Sequence, residues 1–156
     1  MTGSRRAILS GLASMIATGF LACDSGTHEA KNESLRTELF APPANAITEA
    51  SDRGNFMVHL WPRDGAIPVR RLHEWGLRVT GRDGGPVRAT YLNIDGGMPQ
   101  HGHGLITQPE ITAEDADGNH IIEGMKFHMG GEWTLRIEVV AGDLSDFATF
   151  RIQVGP

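Results

Sequence analysis

A series of short apolar runs, separated by turn residues, extends from Gly54 to the end of the chain and constrains the fold more than any other feature. Phe56–Trp61 is the first run and stops at Pro62, while His73–Thr80 alternates between apolar and polar residues. Such alternation is typical of strands that bury one face. The chain also contains 20 glycines and 8 prolines in 156 residues, and both residue types favour tight turns. The pattern predicts β structure without a long helix.

The later part of the chain repeats this pattern at intervals of about 8–15 residues. Five further runs are Val87–Ile94, Leu105–Thr112, His120–Met129, Trp133–Val139 and Phe150–Val154. About seven short strands predict an all-β, immunoglobulin-like sandwich of two antiparallel sheets. Because the chain contains a single Cys, a disulfide between the sheets is excluded.

The N-terminal segment has the pattern of an export signal. Arg5 and Arg6 precede 16 uncharged residues, Ala7–Ala22, which is short for a transmembrane helix of about 20 apolar residues. The only Cys, Cys23, follows Phe20-Leu21-Ala22, a sequence that resembles the lipobox of bacterial lipoproteins. We therefore expect residues 1–22 to be a lipoprotein signal peptide and Cys23 to carry the lipid. Ser4–Leu9 also resembles a twin-arginine signal, so the export route stays open.

Charge and composition divide the remaining chain. Residues 23–53 are polar and contain Pro42-Pro43, which predicts a linker between the lipid anchor and a domain over residues 54–156. The signal segment holds two of the 14 basic residues and none of the 19 acidic ones, so the remainder has 12 against 19, a formal charge of −7. This charge argues against nucleic-acid binding. The expected location is the cell envelope of a bacterium, on the periplasmic side of either membrane.

Candidate metal ligands occur in the segment Asp95–Gly104. His101 and His103 flank a glycine, and in an extended chain residues two apart point the same way. Met98 comes three residues earlier and is followed by Pro99. Thioether and imidazole donors suit copper better than magnesium or calcium. Zinc, held by the two histidines with Asp95 or His128, is the alternative ion.

A second segment, Glu123–Trp133, adds two further candidates. Alternation places Met125, Phe127 and Met129 on one strand face and His128 on the other. Met129 precedes Gly130-Gly131, so it could lie at the rim of the domain. Both Met129 and His128 could serve as ligands only if the backbone turns between them.

These residues carry a family resemblance. The strings DGGMPQHGHG at residues 95–104 and EGMKFHMGGEW at residues 123–133, preceded by Leu72-His73-x-Trp75, resemble the YtkA-like domain family. These proteins are exported, bacterial and related to FixH. The resemblance covers roughly residues 54–156. It implies an immunoglobulin-like sandwich and a link to copper handling, with a copper-receiving protein or an oxidase-assembly component as partner.

Two alternatives to a copper-binding lipoprotein remain open. One is a structural or protein-interaction lipoprotein without a metal. The other is a sandwich that binds a small organic ligand through Trp61, Trp75 and the histidines. An enzyme is not expected, because the chain lacks a Gly-x-Ser-x-Gly elbow, a His-Glu-x-x-His helix and a phosphate-binding glycine loop. Among the other histidines, His73 is expected at the edge of the core, and His59 and His120 at the rim or in solvent.

Overall fold

A computed structural model describes residues 41–115 and 117–155, which contain strands, turns and one short 3₁₀ turn. The predicted signal peptide, Cys23 and most of the predicted linker lie outside the described residues. No helix in the described ranges is long and apolar enough to span a membrane. The strands are β1 Ile47–Ala50, β2 Phe56–Pro62, β3 His73–Gly81, β4 Tyr91–Met98, β5 His103–Gly104, β6 Glu110–Glu114, β7 Asn119–Met125, β8 Gly131–Ala141 and β9 Leu144–Val154.

The strands form two antiparallel sheets, so the all-β sandwich prediction is confirmed. One sheet has the order β1-β2-β3-β7-β6 and the other the order β5-β4-β8-β9. The nine described strands exceed the expected seven by the short strands β1 and β5. Both are brief edge strands without a long alternating run, which explains why periodicity did not reveal them.

The core lies between the sheets and follows the predicted alternation. Trp133, Leu135, Ile137 and Val139 of β8 are fully buried, as are Trp75, Leu77 and Val79 of β3. Each inward side chain removes apolar surface from water at about 25 cal/mol per Å². The intervening positions face outward, so one apolar stripe per strand determines which side of each sheet is inside.

The domain begins earlier than residue 54, which corrects the predicted end of the linker. Strand β1 pairs with β2 through the register Ile47 to Leu60. Behind it, the Ser51 hydroxyl donates a 2.7 Å hydrogen bond to the carboxylate of Asp146 in β9, and both residues are buried. The polar composition of this segment predicted a linker, but the partner that makes it structural is 95 residues away.

Several predicted strands differ from the observed ones at their ends, since β6 begins at Glu110 rather than Leu105 and β9 at Leu144 rather than Phe150. Strand β7 stops at Met125 rather than Met129, directly after Gly124, which has a positive φ of 80°. Strand β4 starts at Tyr91 rather than Val87. The early end of β7 matters most, because it frees residues 126–130 to turn toward the end of the sandwich.

Candidate functional site

The candidate ligands of the first segment lie on a tight hairpin between β4 and β5. A 3₁₀ turn, Pro99–His101, joins the two strands, and Gly102 closes it in the left-handed region with a φ of 64°. The chain from His101 to His103 was predicted to be extended, but it forms part of this turn. The two rings are nevertheless nearly parallel, with centroids 6.3 Å apart and planes at 11°, and both residues are exposed.

Met98 and His103 are direct cross-strand partners in this hairpin. Paired residues in an antiparallel ladder project from the same face of the sheet. Met98 is 2% exposed and belongs to the core, whereas His103 extends the same face into solvent because β5 is an edge strand. The methyl carbon of Met98 lies so close to Gly131 that a Cβ there would come within 2.8 Å of it. The thioether thus lies at the inner side of the hairpin.

His128 reaches the hairpin from the other sheet's connection to β8. Its ring is edge-on to His103, with centroids 5.5 Å apart, and edge-on to Trp133 at 5.2 Å. The turn after β7 that this requires is present, since residues 128–130 bend before Gly131. His128 is half-buried, and its Nδ1 is buried without a hydrogen-bond partner.

Met129 is held beside His128 through its main chain. The indole nitrogen of the fully buried Trp133 donates a 3.1 Å hydrogen bond to the Met129 carbonyl. The Met129 side chain is partly buried against the core. Alternation had placed Met129 and His128 on opposite faces. The turn after Met125 removes that constraint, so both can face the end of the sandwich.

A segment that the sequence analysis did not single out supports His128. Val69 forms a bridge to Phe127, and the Arg70 amide donates a 2.7 Å hydrogen bond to the Phe127 carbonyl. The Arg70 side chain donates from Nε to the His128 carbonyl at 3.3 Å. Arg70 has a φ of 63°, the only positive φ at a described residue other than glycine. Such backbone positions cost energy and cluster at functional sites. Nothing in the local sequence signals this conformation.

The described residues bring part of the predicted ligand set together. His101, His103 and His128 form a line of neighbouring rings, and Met98 shares a face with His103. Asp95, the carboxylate of the zinc alternative, is exposed and accepts a hydrogen bond from the Gly96 amide. Within residues 41–115 and 117–155, no three His, Cys, Asp or Glu side chains are grouped so that they could hold one metal ion.

The remaining described histidines lie elsewhere. His73 is at the edge of the core, as predicted, with its ring 5.5 Å from Phe127 and its Nδ1 at 3.1 Å from the Arg71 carbonyl. His120 is buried at 4% exposure, so its prediction as a rim residue is wrong. It faces inward because it pairs with the core residue Leu77. Burial lowers the pKa of both His73 and His120.

The tryptophans of the organic-ligand alternative are buried. Trp75 is fully enclosed, with its ring at 6.2 Å from Phe127. Trp61 is 4% exposed and lies on Gly76, where an added Cβ would overlap its ring. Trp61 also lines a cavity of about 210 Å³ that it shares with Pro43 and Arg63.

Comparison with known proteins supports the family resemblance. No curated protein and no solved structure matches the chain significantly. The family model described as YtkA-like matches residues 67–138, a range that includes the Arg70 segment, the β4–β5 hairpin, His128 and Trp133. Residues 67–138 are therefore similar to the YtkA-like family, as the sequence motifs predicted.

Proposed function

We propose that this protein is a copper-binding lipoprotein of the bacterial cell envelope, with its metal site at the His103 and His128 end of the sandwich. The observation that carries the proposal is the 5.5 Å contact between these two rings, one on the edge strand β5 and the other in the connection between β7 and β8. Core packing alone does not explain an exposed imidazole placed against a half-buried one. The match to the YtkA-like family model supports the resemblance, which implies a link to copper handling.

The donor chemistry fits a soft ion. Two imidazoles with a thioether as third ligand match copper, whereas hard cations prefer carboxylates and carbonyls. Met98 supplies that thioether from the face that carries His103, and Met129 is the second thioether beside His128. The unpartnered Nδ1 of His128 is a free donor atom at this place. His101, parallel to His103, is the outermost imidazole.

The position of the site suits a carrier. His101 and His103 are exposed on a hairpin tip, so a metal bound there remains accessible to another protein. A fully enclosed ion would be released slowly, because the fold would have to open first. We propose a copper-receiving protein or an oxidase-assembly component as the partner and copper transfer, not catalysis, as the role.

Copper binding is tested by competition with chelators for both Cu(I) and Cu(II). The wild type should retain copper, and His101→Ala/His103→Ala and His128→Ala should each weaken binding at least tenfold. His59→Ala is the control, because it removes an imidazole from the outer face of the five-stranded sheet. This variant should bind copper as the wild type does. If the double variant binds as tightly as the wild type, the copper proposal is wrong, and a structural lipoprotein takes its place. Zinc titration of the same variants distinguishes the two ions.

The lipid anchor is a separate part of the proposal. Cys23 follows a short apolar segment and is the only Cys in the sequence. Several acyl chains, each contributing about 0.8 kcal/mol per buried CH₂, hold a protein stably at a membrane. Cys23→Ser should abolish labelling by a fatty-acid probe and release the protein from the membrane fraction. Continued labelling of this variant would exclude Cys23 as the acylated residue.

A further inference from the structure

A cavity of about 400 Å³ lies on the outer face of the five-stranded sheet. None of the proposed copper ligands lines it. His59 of β2 and Arg78 of β3 are cross-strand partners in it, and Met57 and Thr80 form the next pair. These side chains point outward, because their neighbours Leu77 and Val79 fill the core. Arg82 and two glycines of the following turn, together with Pro42, complete the walls.

Arg78 is the central feature of this cavity. Its Nε is buried and has no hydrogen-bond partner. Its other cross-strand neighbour, Asn119, donates its side-chain amide to Asp115, and the Asn119 Oδ1 is likewise buried without a partner. A buried donor without a partner loses its hydration without compensation. Arg78 lines the cavity, and its guanidinium has no ion-pair partner among the described residues.

The walls of the cavity carry positive charge and no carboxylate. Arg82 also lines it, although this side chain donates from Nε to the Gly54 carbonyl and from Nη2 to the Arg53 carbonyl. Asp83, the acidic residue of the adjoining turn, accepts a 3.1 Å hydrogen bond from the Gly85 amide. Two arginines at one cavity are unexpected in a domain of net negative charge.

The pKa of His59 is affected by the positive charge of this cavity. Its ring nitrogens lie 2.9 Å from the Thr48 hydroxyl and 3.4 Å from the Thr80 hydroxyl. Burial lowers the pKa of His59, and the nearby charge of Arg78 lowers it further. An anion beside Arg78 would offset this charge, so its arrival should raise the pKa of His59.

We propose that this cavity is a binding site for a small organic oxyanion, a carboxylate or a phosphate monoester. The planar guanidinium of Arg78 matches the two oxygens of such a group. Met57 and Pro42 provide apolar contact for the body of the ligand. The volume suits a small molecule. This site is separate from the proposed copper site and does not depend on it.

The test uses NMR on the full-length protein with three probes at constant ionic strength: inorganic phosphate, phenyl phosphate and benzoate. Amide shifts confined to residues 57–59 and 78–84 should saturate, and the pKa of His59 should rise on binding. Phenyl phosphate and benzoate should both bind more tightly than inorganic phosphate, and the stronger of the two identifies the ligand's anionic group.

Arg78→Gln should weaken binding of the better probe at least tenfold. Arg88→Gln is the matched control, since it removes one charge from an exposed position outside the cavity. Arg78→Lys keeps the charge without the planar fork and should bind several-fold less tightly than the wild type. Absence of saturable shifts with all three probes would overturn the proposal. So would an equal effect of Arg78→Gln and Arg88→Gln, which would indicate general charge attraction.

Discussion

The imidazole of His128 stands edge-on to the indole of Trp133, with ring centroids 5.2 Å apart and planes at 88°. Trp133 is fully buried and continues through Phe127, at 5.1 Å, into the core. His128 continues in the other direction to His103 at 5.5 Å. The proposed ligands His103 and His128 are therefore connected to the sandwich core through Trp133. A change at these histidines should be detectable at Trp133, and a change at Trp133 should be detectable at the histidines.

Copper binding at His128 should quench the fluorescence of Trp133. Cu(II) quenches an indole within a few ångströms efficiently, and Trp133 is the tryptophan whose ring contacts His128. We expect Trp133→Phe to remove most of the copper-dependent change in emission. Titration of Trp133→Phe beside the wild type, with Zn(II) as a non-quenching control ion, measures it. Equal quenching in both proteins would place the bound copper elsewhere.

Replacing Trp133 by Ala should strongly destabilise the domain. The side chain is fully buried, and its indole nitrogen donates a hydrogen bond to the Met129 carbonyl. Emptying such a site costs about 3–5 kcal/mol of unfolding free energy. Urea unfolding of Trp133→Ala and Trp133→Phe tests this, and the Phe variant should lose much less. A loss below about 1 kcal/mol for Ala would contradict the burial of this residue.

Gly97→Ala should weaken copper binding by displacing β5. A Cβ at Gly97 would lie 2.5 Å from the His103 carbonyl oxygen, a backbone atom that cannot move alone. Gly104, its cross-strand partner, has ordinary space for a Cβ, with the Gly96 carbonyl oxygen at 3.7 Å. We expect at least a tenfold loss of copper affinity in Gly97→Ala and little change in Gly104→Ala. The chelator competition assay measures both, and similar affinities in the two variants would argue against a role for this hairpin.

Asp146→Asn should loosen the start of the domain. The Asp146 carboxylate accepts hydrogen bonds from the Ser51 hydroxyl and from the amides of Arg53, Asn55 and Phe147. Burial raises its pKa, but these donors outweigh burial and hold the pKa below its usual value. Hydrogen bonds to a charged group contribute about 1.5–3 kcal/mol. Urea unfolding should show a loss of this size, and hydrogen exchange should quicken at residues 47–56. Unchanged exchange there would refute the anchoring role.

Mild acid should destabilise the domain through its buried and half-buried histidines. Burial lowers the pKa of His59, His73 and His120 below the unfolded value of about 6.5. The unfolded chain therefore binds more protons as the pH falls through about 6.5, and the free energy of unfolding decreases until the lower folded pKa values are reached. Urea titrations between about pH 8 and 5 measure this slope. His120→Leu should reduce the slope, whereas a slope unchanged in this variant would exclude His120 as a contributor.

The class of fold could be predicted from the order of residues along the chain. Alternation at Trp133, Leu135, Ile137 and Val139 identified a buried face without any knowledge of its partner. This works because a strand's inward and outward positions depend only on the order of residues along that strand. The identity of the candidate ligands could also be predicted, since thioether and imidazole chemistry belongs to the residue type.

Tertiary structure decided which of these residues meet. The contact of His128 with His103 depends on the early end of β7 and on the positive φ of Arg70. The burial of His120 depends on its pairing with Leu77. Strand β1 joins the sheet because it pairs with β2. The Nε of Arg78 is left without a partner by the residues that surround it in the folded domain. Local patterns carry no record of such neighbours, because contacts between sheets are created only when the strands pack.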